Sequence, residues 1–227
     1  MSANTSSLLH SLDYIAPPDN GLDVVYADAT LLVVNKPAGL LTVPGRGEGK
    51  QDCLSRRVRT AFPTALVVHR LDMSTSGLLI MALGRTVQSL LSRLFAKRQV
   101  EKRYLAVVAG RPPAEGRIDL PVGADWPNRP RQKIDLTEGK AAGTRYRLLS
   151  HDPAADTSRL ALWPETGRTH QLRVHLLAIG HPIIGDTLYA EPSVATGAAR
   201  LMLHADQLRL PHPGHGESVL FSYPAPF

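Results

Sequence analysis

The sequence predicts an α+β fold built on a mixed, largely antiparallel sheet with flanking helices and loops. Two observations support this prediction. Apolar runs typical of strands outnumber helical segments, and the three helical segments do not alternate with strands as a regular βαβ fold would require. At 227 residues the chain is long enough for one large domain or two small ones, with most of its apolar surface buried.

The strands are predicted from short apolar or alternating runs. The first run, Leu31 to Val34, ends in a turn with the sequence NKPAG. The later strands are expected at Tyr104 to Ala109, Thr144 to Leu149, Arg159 to Trp163 and Leu201 to Leu210. Residues 1–20, rich in Ser, Asn and Pro, carry too little apolar pattern to pack and are expected to form a mobile lead-in.

The three helices are predicted from apolar residues at helical spacing. Asp52 is expected to cap the first, whose arginines should be solvated, and Gly180 is expected to end the third, which runs from Thr169 to Ile179. The apolar faces are Leu54, Val58, Ala61 and Phe62 in the first helix, Val87, Leu90, Leu91, Leu94 and Phe95 in the second, and Leu172, Leu176 and Ile179 in the third.

The charge balance favours a polyanionic partner. Lysine and arginine total 26 against 20 acidic residues, a net charge of +6. Such an excess suits nucleic acid, although a generic basic surface explains the charge alone equally well.

Targeting features point to a cytoplasmic protein without a membrane partner. Residues 1–13 lack the basic start and apolar core of a signal peptide, and no segment approaches the roughly 18 apolar residues of a membrane span. The single cysteine, Cys53, cannot pair within the chain, which is ordinary in the reducing cytosol.

The stretch from Val67 to Gly77, VVHRLDMSTSG, begins apolar and turns abruptly polar. Rigid scaffolds often present working residues at such a point, which makes Asp72 a candidate catalytic carboxylate. If strand geometry continues to Asp72, Arg70 points the same way. The structural alternative is that Asp72 only caps the turn at Ser74 or Thr75.

Two further candidates follow along the chain. Arg168 lies between a glycine turn and a predicted helix start, where it could hold a carboxylate by bidentate hydrogen bonds. Tyr104 opens a strand after a basic cluster, and a phenol becomes a useful base only where its surroundings favour phenolate. A surface arginine and a packing tyrosine are the structural alternatives.

A proline-stiffened loop, residues 125–133, combines one aromatic plane with three cations. Its side chains suit base stacking and phosphate contacts, although a solvated connection has the same composition. The residues concerned are Trp126, Arg129, Arg131 and Lys133. The nine histidines form no His-Glu-x-x-His motif or Cys/His ligand set, so no metal is predicted.

Taken together, three ordered motifs resemble the RluA-type pseudouridine synthases. They are HRLD at 69–72 with TSGL at 75–78, then Tyr104, then the block from Thr166 to His175. The resemblance runs from about Val24 to the C-terminus and implies the pseudouridine synthase fold around a central cleft. Residues 21–227 are then the catalytic domain, and no room is expected for the S4-like RNA-binding domain that many relatives carry.

The resemblance implies isomerisation of uridine to pseudouridine without a cofactor. Asp72 aligns with the essential aspartate that acts on the ribose, Tyr104 with a tyrosine thought to be a base toward the sugar, and Arg168 with an arginine that pairs with the aspartate. A paired guanidinium favours the ionised carboxylate. Arg70 would fill the stack vacated by a flipped nucleotide, since a planar guanidinium can stack.

The implied partner is structured RNA bound by a monomer, in 23S ribosomal RNA, the transfer RNA anticodon stem-loop, or both. The expected RNA contacts are His69, Arg70, Trp126, Arg129, Arg131 and Lys133. A non-catalytic basic RNA-binding module is the alternative function. It would not require Asp72, Tyr104 and Arg168 to converge in one basic cleft. A glycosidase would need two opposed carboxylates, and only one convincing candidate is present.

Overall fold

The computed structural model describes residues 14–227 and confirms the predicted α+β fold with a mainly antiparallel sheet. The strands are β1 Val24–Ala27, β2 Leu31–Lys36, β3 Ala65–Val67, β4 Ser76–Leu83, β5 Glu101–Ala109, β6 Glu115–Asp119, β7 Val122–Ala124, β8 Gln132–Ile134, β9 Gly143–Asp152, β10 Thr157–Pro164, β11 Leu203–Pro211 and β12 Ser218–Ser222. The helices are α1 Leu54–Ala61, α2 Arg85–Ala96, α3 Gln171–Ala178 and the short α4 Pro192–Ala195.

Ten strands form one sheet in the order β1-β2-β4-β11-β5-β10-β9-β6, with β12 paired to β11 and β3 paired to β4. Strands β7 and β8 form a separate hairpin. Within residues 14–227 the large sheet is antiparallel except where β4 runs parallel to β11. That parallel pair lies near the middle of the sheet and joins its two halves.

Gly77 makes the parallel contact between β4 and β11 possible. Its φ is +115°, and a Cβ built on it would lie 2.3 Å from the carbonyl oxygen of Ala205. Only glycine fits both the backbone conformation and the close approach. The glycine of the TSGL sequence therefore fixes the strand that directly follows the Asp72 loop.

Each of the three longer helices covers part of the sheet through its apolar face. Leu54 and Val58 of α1 pack with Leu32 and Met81, and Leu91 of α2 packs with Ile80. On the other half of the sheet, Leu172 and Leu176 of α3 pack against β5, β10 and β11. The central strand β4 is almost wholly buried, as expected for a strand covered on both faces.

Two helix starts differ from the sequence prediction. Cys53, not Asp52, precedes α1, and the Asp52 carboxylate instead accepts hydrogen bonds from Arg57 at 2.7 and 2.8 Å. The Arg57 side chain is 9% exposed, so the expectation that it is solvated was wrong. Helix α3 begins at Gln171 because His170 has a φ of +54° and cannot continue a right-handed helix.

Part of the predicted lead-in contacts the body of the protein. The Tyr14 hydroxyl donates to the Asp52 carbonyl oxygen and accepts the N–H of Leu41, and Arg57 donates to the carbonyl oxygen of Pro17. The prediction for residues 1–13 lies outside the described residues. Within residues 14–227, no helix is long and apolar enough to cross a membrane.

Candidate active site

An open cleft of about 2150 Å³ runs between the two halves of the sheet. Its lining comes from the loop between β3 and β4, the strand β5, the loop before β8, and the segment from β10 into α3. Nine lysine and arginine residues line it against three acidic residues. Because its cations outnumber its acidic residues, the cleft attracts a polyanion and so brings it close to the few carboxylates that line the same space.

Asp72 lies in the loop between β3 and β4, in the wall of this cleft. Its backbone carbonyl accepts the N–H of Thr75 at 3.1 Å, which closes the turn. Its carboxylate makes no hydrogen bond to any residue within 14–227. The turn is thus held by the backbone of Asp72 and not by a side-chain cap, and the carboxylate is free to meet a ligand.

The buried Lys36 fixes the position of the Asp72 loop. Its side chain is fully buried, and its Nζ donates to the carbonyl oxygens of Pro37, Leu40 and Met73 at 2.8, 2.7 and 3.1 Å. Burial lowers the pKa of Lys36 to about 7, while the charge of Asp72 opposes that shift. Sequence analysis placed Lys36 in the NKPAG turn and missed its role, since nothing in its spacing signals burial.

A second contact fixes the residue before Asp72. Thr42 Oγ1 donates to the Leu71 carbonyl oxygen at 2.7 Å and accepts the Leu71 N–H at 3.2 Å. Because both bonds reach the backbone, they position the loop without occupying the Asp72 side chain.

Tyr104 lies in β5, lines the same cleft and packs against two hydrophobic clusters, one containing Leu172 of α3 and the other Leu54 of α1. Burial, and then the negative charge of Asp72, raise the pKa of its phenol well above the usual range. The free protein therefore holds Tyr104 as a neutral phenol. The surroundings do not favour the phenolate that a resting base would need.

Arg168 lines the cleft but does not pair with Asp72. Its side chain is exposed and its Nε donates to the carbonyl oxygen of Ala141 at 3.2 Å, and no ion pair or hydrogen bond joins it to Asp72 within the described chain. The expected pairing is therefore wrong. It fails because α3 starts only at Gln171, which leaves Arg168 in the exposed turn before the helix.

Arg173, in α3, is the arginine whose electrostatic surroundings include Asp72. It is buried and forms a two-pronged ion pair with Asp186, with distances of 2.6 and 2.8 Å. Burial opposes the shift, but the hydrogen bonds to Asp186 and the charges of Asp186 and Asp72 raise the pKa of Arg173. The sequence signal that could have pointed to Arg173 was its place three residues after His170, inside the same block from Thr166 to His175.

His69 is held by contacts within the fold. Its Nε2 accepts the N–H of Ile80 at 2.9 Å and its ring stacks on Phe95 with centroids 4.5 Å apart. Burial, and then the charge of Lys102, lower the pKa of His69 to about 3. A neutral ring cannot act as a cation toward phosphate, but His69 is partly exposed and lines the cleft, so its RNA contact stays a prediction. Arg70 beside it is exposed and lines the cleft.

The loop of residues 125–133 forms one rim of the cleft. The Arg129 guanidinium lies 3.6 Å from the ring centroid of Trp126, whose side chain is 65% exposed. Arg129 and Arg131 line the cleft, whereas Trp126 and Lys133 lie beyond it, and Lys133 pairs with Asp135 at 3.4 Å. The loop thus brings two of its four predicted RNA contacts to the cleft itself.

Known proteins share this sequence and this fold. The RNA pseudouridylate synthase family model matches residues 30–178. The chain is 48% identical over 216 residues to the dual-specificity RNA pseudouridine synthase RluA of Escherichia coli K12, covering 95% of this chain and 98% of that one. The Haemophilus influenzae protein of the same name is 42% identical over 217 residues, with 95% and 99% covered.

A solved structure agrees with these sequence relatives. The human RNA pseudouridylate synthase domain containing 1 protein superposes with a TM-score of 0.78 at 35% identity, covering 94% of this chain and 87% of that one. The family match spans the Asp72 loop, Tyr104 and the start of α3. This chain therefore belongs to the RNA pseudouridylate synthase family, whose members are isomerases.

Proposed function

We propose that this protein converts uridine to pseudouridine in structured loops of 23S ribosomal RNA and of the transfer RNA anticodon stem, acting in the cytoplasm as a monomer. The observation that carries the proposal is a free carboxylate, Asp72, in the wall of a strongly basic cleft. The dual specificity named for the bacterial relatives supports both RNA classes as substrates.

The reaction needs no group beyond the protein and the RNA. The bond between the sugar C1′ and uracil N1 breaks, the base turns, and C1′ joins uracil C5, so every atom of the nucleotide is retained. The proton lost from C5 is balanced by one gained at N1. No oxidant or reductant enters, which agrees with the prediction that no cofactor is required.

Asp72 acts on the sugar in this proposal. An ionised carboxylate can attack C1′ or stabilise positive charge there. Both uses need a carboxylate that no neighbouring side chain occupies, and the held loop presents Asp72 in that state. The target nucleotide must leave the stack to reach it, at a cost of roughly a few kcal/mol that is smallest in loops.

Tyr104 is proposed as the catalytic tyrosine that touches the flipped nucleotide. Because its phenol is neutral in the free protein, Tyr104 must first give its proton to N1 of the detached uracil before it can accept one from the sugar. Arg173 is proposed to favour the ionised form of Asp72 through its positive charge. The resemblance had assigned this role to Arg168.

The rim supplies RNA contacts in this proposal. Arg70 fills the space of the extruded nucleotide, and Arg129, Arg131 and Arg168 meet phosphates at the cleft. Trp126 and Lys133 contact RNA outside the cleft, and the exposed Trp126 ring offers a stacking face. Asp72 and Tyr104 line one basic cleft, a convergence that a non-catalytic binding module would not require.

Purified protein incubated with transcripts of a transfer RNA anticodon stem-loop and of 23S ribosomal RNA tests the function. We expect pseudouridine at a defined loop uridine in both transcripts, detected as reverse-transcription stops after carbodiimide treatment. The matched inactive variant is Asp72→Asn. Correctly folded protein that binds both transcripts yet leaves every uridine unchanged would establish the binding-module alternative.

A further inference from the structure

Tyr189 joins the RNA-facing loop to the start of α3. The residue is 7% exposed, and its Oη lies 2.7 Å from the backbone N of Gln132, the first residue of β8, and 2.7 Å from Nδ1 of His170. The guanidinium of Arg131 lies 5.4 Å from its ring centroid, and that of Arg173 lies 4.9 Å away. One buried phenol thus contacts both the loop of residues 125–133 that forms the rim and the α3 wall of the cleft.

The hydrogen bonds at Tyr189 assign the protonation of His170. The Gln132 N–H can only donate, so the Tyr189 oxygen accepts it. If His170 Nδ1 also donated, the buried phenol proton would have no acceptor within residues 14–227, which is costly. The phenol therefore donates to Nδ1, and His170 is neutral with its proton on Nε2.

The backbone holds His170 in an unusual conformation for this purpose. Its φ is +54°, in the left-handed region that few non-glycine residues adopt, although histidine is found there more often than most, and its side chain makes no cap hydrogen bond to α3. Such outliers persist where surrounding contacts determine them, often at functional sites. The ring lies in the wall of the cleft.

The charged groups around His170 come from three segments: Asp72 from the loop after β3, Arg173 from α3, and Asp186 from the segment after α3. Burial lowers its pKa, Asp72 opposes that shift, Arg173 adds to it and Asp186 opposes it. Neutrality has a consequence for Asp72, because a protonated imidazole nearby would pair with the carboxylate that must stay free.

We propose that His170 is a substrate-binding residue whose neutral Nε2–H donates to a carbonyl oxygen of the flipped uracil, and that Tyr189 is the positioning residue that holds this tautomer. The inference rests on the proposed function and adds a recognition contact to it. Through Gln132 and Arg131, Tyr189 also ties this donor to the loop that meets the RNA.

Two substitutions of His170 separate the contribution of the Nε2–H donor from that of the hydrogen bond between Nδ1 and Tyr189. In His170→Gln the amide nitrogen replaces Nε2, and we expect kcat/KM within about threefold of wild type. In His170→Asn the amide replaces Nδ1 and the cleft donor is lost, so we expect kcat/KM to fall about tenfold or more. Asparagine tolerates the left-handed backbone better than glutamine, so strain would produce the reverse order. Equal activity of the two variants overturns the proposal.

Tyr189→Phe tests the positioning role through the pH profile. Without the phenol, Nδ1 is free to take a proton, so activity should fall as the pH is lowered from 8 toward 5 and recover when the pH is raised again. The double variant Tyr189→Phe/His170→Gln should lack this pH step. Tyr146→Phe is the matched control, since Tyr146 is also 7% exposed and lies outside the cleft. A pH step that persists in the double variant would show that Tyr189 does not act by holding the tautomer of His170.

Nitrogen-15 NMR of the imidazole tests the tautomer without RNA or turnover. We expect His170 to carry its proton on Nε2 in the wild type from pH 6 to 8 and to exchange with imidazolium in Tyr189→Phe. A proton on Nδ1 in the wild type contradicts the inference even if the enzyme is active. An inactive wild type with the expected tautomer would instead count against the proposed function.

Discussion

The two walls of the cleft hold their functional groups in opposite ways. On the wall that carries Asp72, the loop is fixed through its backbone, by Lys36 and Thr42, and the carboxylate makes no hydrogen bond within residues 14–227. On the α3 wall, side chains are fixed by other side chains, as in the buried ion pair of Arg173 with Asp186.

This difference fits the division of work between the walls. A group that acts on the substrate must be positioned and still free, which backbone contacts allow. A group that only shapes the electrostatics is best neutralised by a fixed partner, since a lone buried charge is costly. Substitution of Asp72 should therefore mainly affect activity, and substitution of Asp186, the fixed partner of Arg173, should mainly affect stability.

Asp72→Asn should give the largest effect. We expect pseudouridine formation to fall by about 10³-fold or more, because the amide can neither attack C1′ nor stabilise charge there. RNA binding and melting temperature should hardly change, since the carboxylate supports no contact in the fold. Single-turnover assays and gel shifts measure the two quantities. Residual activity within tenfold of wild type would remove Asp72 from its role.

Asp186→Asn should show the reverse pattern on the other wall. It leaves Arg173 buried without a charged partner, which typically costs about 3–5 kcal/mol. For a chain of this length that corresponds to a drop in melting temperature of roughly 10 °C. The matched control is Asp119→Asn, whose pair with Arg117 is more than half exposed and should contribute less than about 1 kcal/mol. Equal losses in the two variants would contradict the comparison.

Lys36→Met tests the support beneath Asp72. Burial lowers the pKa of Lys36 to about 7, so between pH 7 and 9 the unfolded chain binds more protons than the folded one and stability should rise with pH. The contribution is at most about 1.4 kcal/mol per pH unit. Denaturation by urea at pH 7, 8 and 9 should show a flatter rise in Lys36→Met.

The same variant should also slow catalysis. Methionine leaves three buried carbonyl oxygens without a donor, so the Asp72 loop should shift and kcat should fall by about tenfold, with RNA binding retained. The control is the exposed Lys97→Met. A Lys36→Met enzyme with wild-type kcat would show that the loop does not depend on this lysine.

Periodicity predicted most of the fold, because apolar spacing decides which face an element buries. The face of α2 and the four later strands were found this way, apart from shifts of a few residues at their ends. The motifs also pointed to Asp72 and Tyr104, which both line the cleft. These features depend on local sequence, where pattern and structure are directly linked.

The partners of the site residues were harder to predict. Arg168 and Arg173 belong to one motif, but the left-handed His170 precedes α3, so that Arg173 lies in the helix and Arg168 in the turn before it. The pairing of Arg173 with Asp186 and the burial of Lys36 depend on tertiary contacts. Spacing along the chain carries no information on such contacts.

His69 should give the smallest effect, visible only in acid. Burial lowers its pKa to about 3, so below pH 6.5 the unfolded chain takes up a proton that the folded chain does not, and stability is lost as pH falls toward 3. The loss due to this group should be about 1 kcal/mol at pH 5.5.

In His69→Gln an amide oxygen can still accept the Ile80 N–H while the titration is removed. The slope of stability against pH from 6.5 to 5 should therefore be shallower in His69→Gln, whereas the exposed His215→Gln should keep the wild-type slope. An unchanged slope in His69→Gln, together with weaker RNA binding, would show that His69 acts as an RNA contact and not as a structural residue of the Asp72 wall.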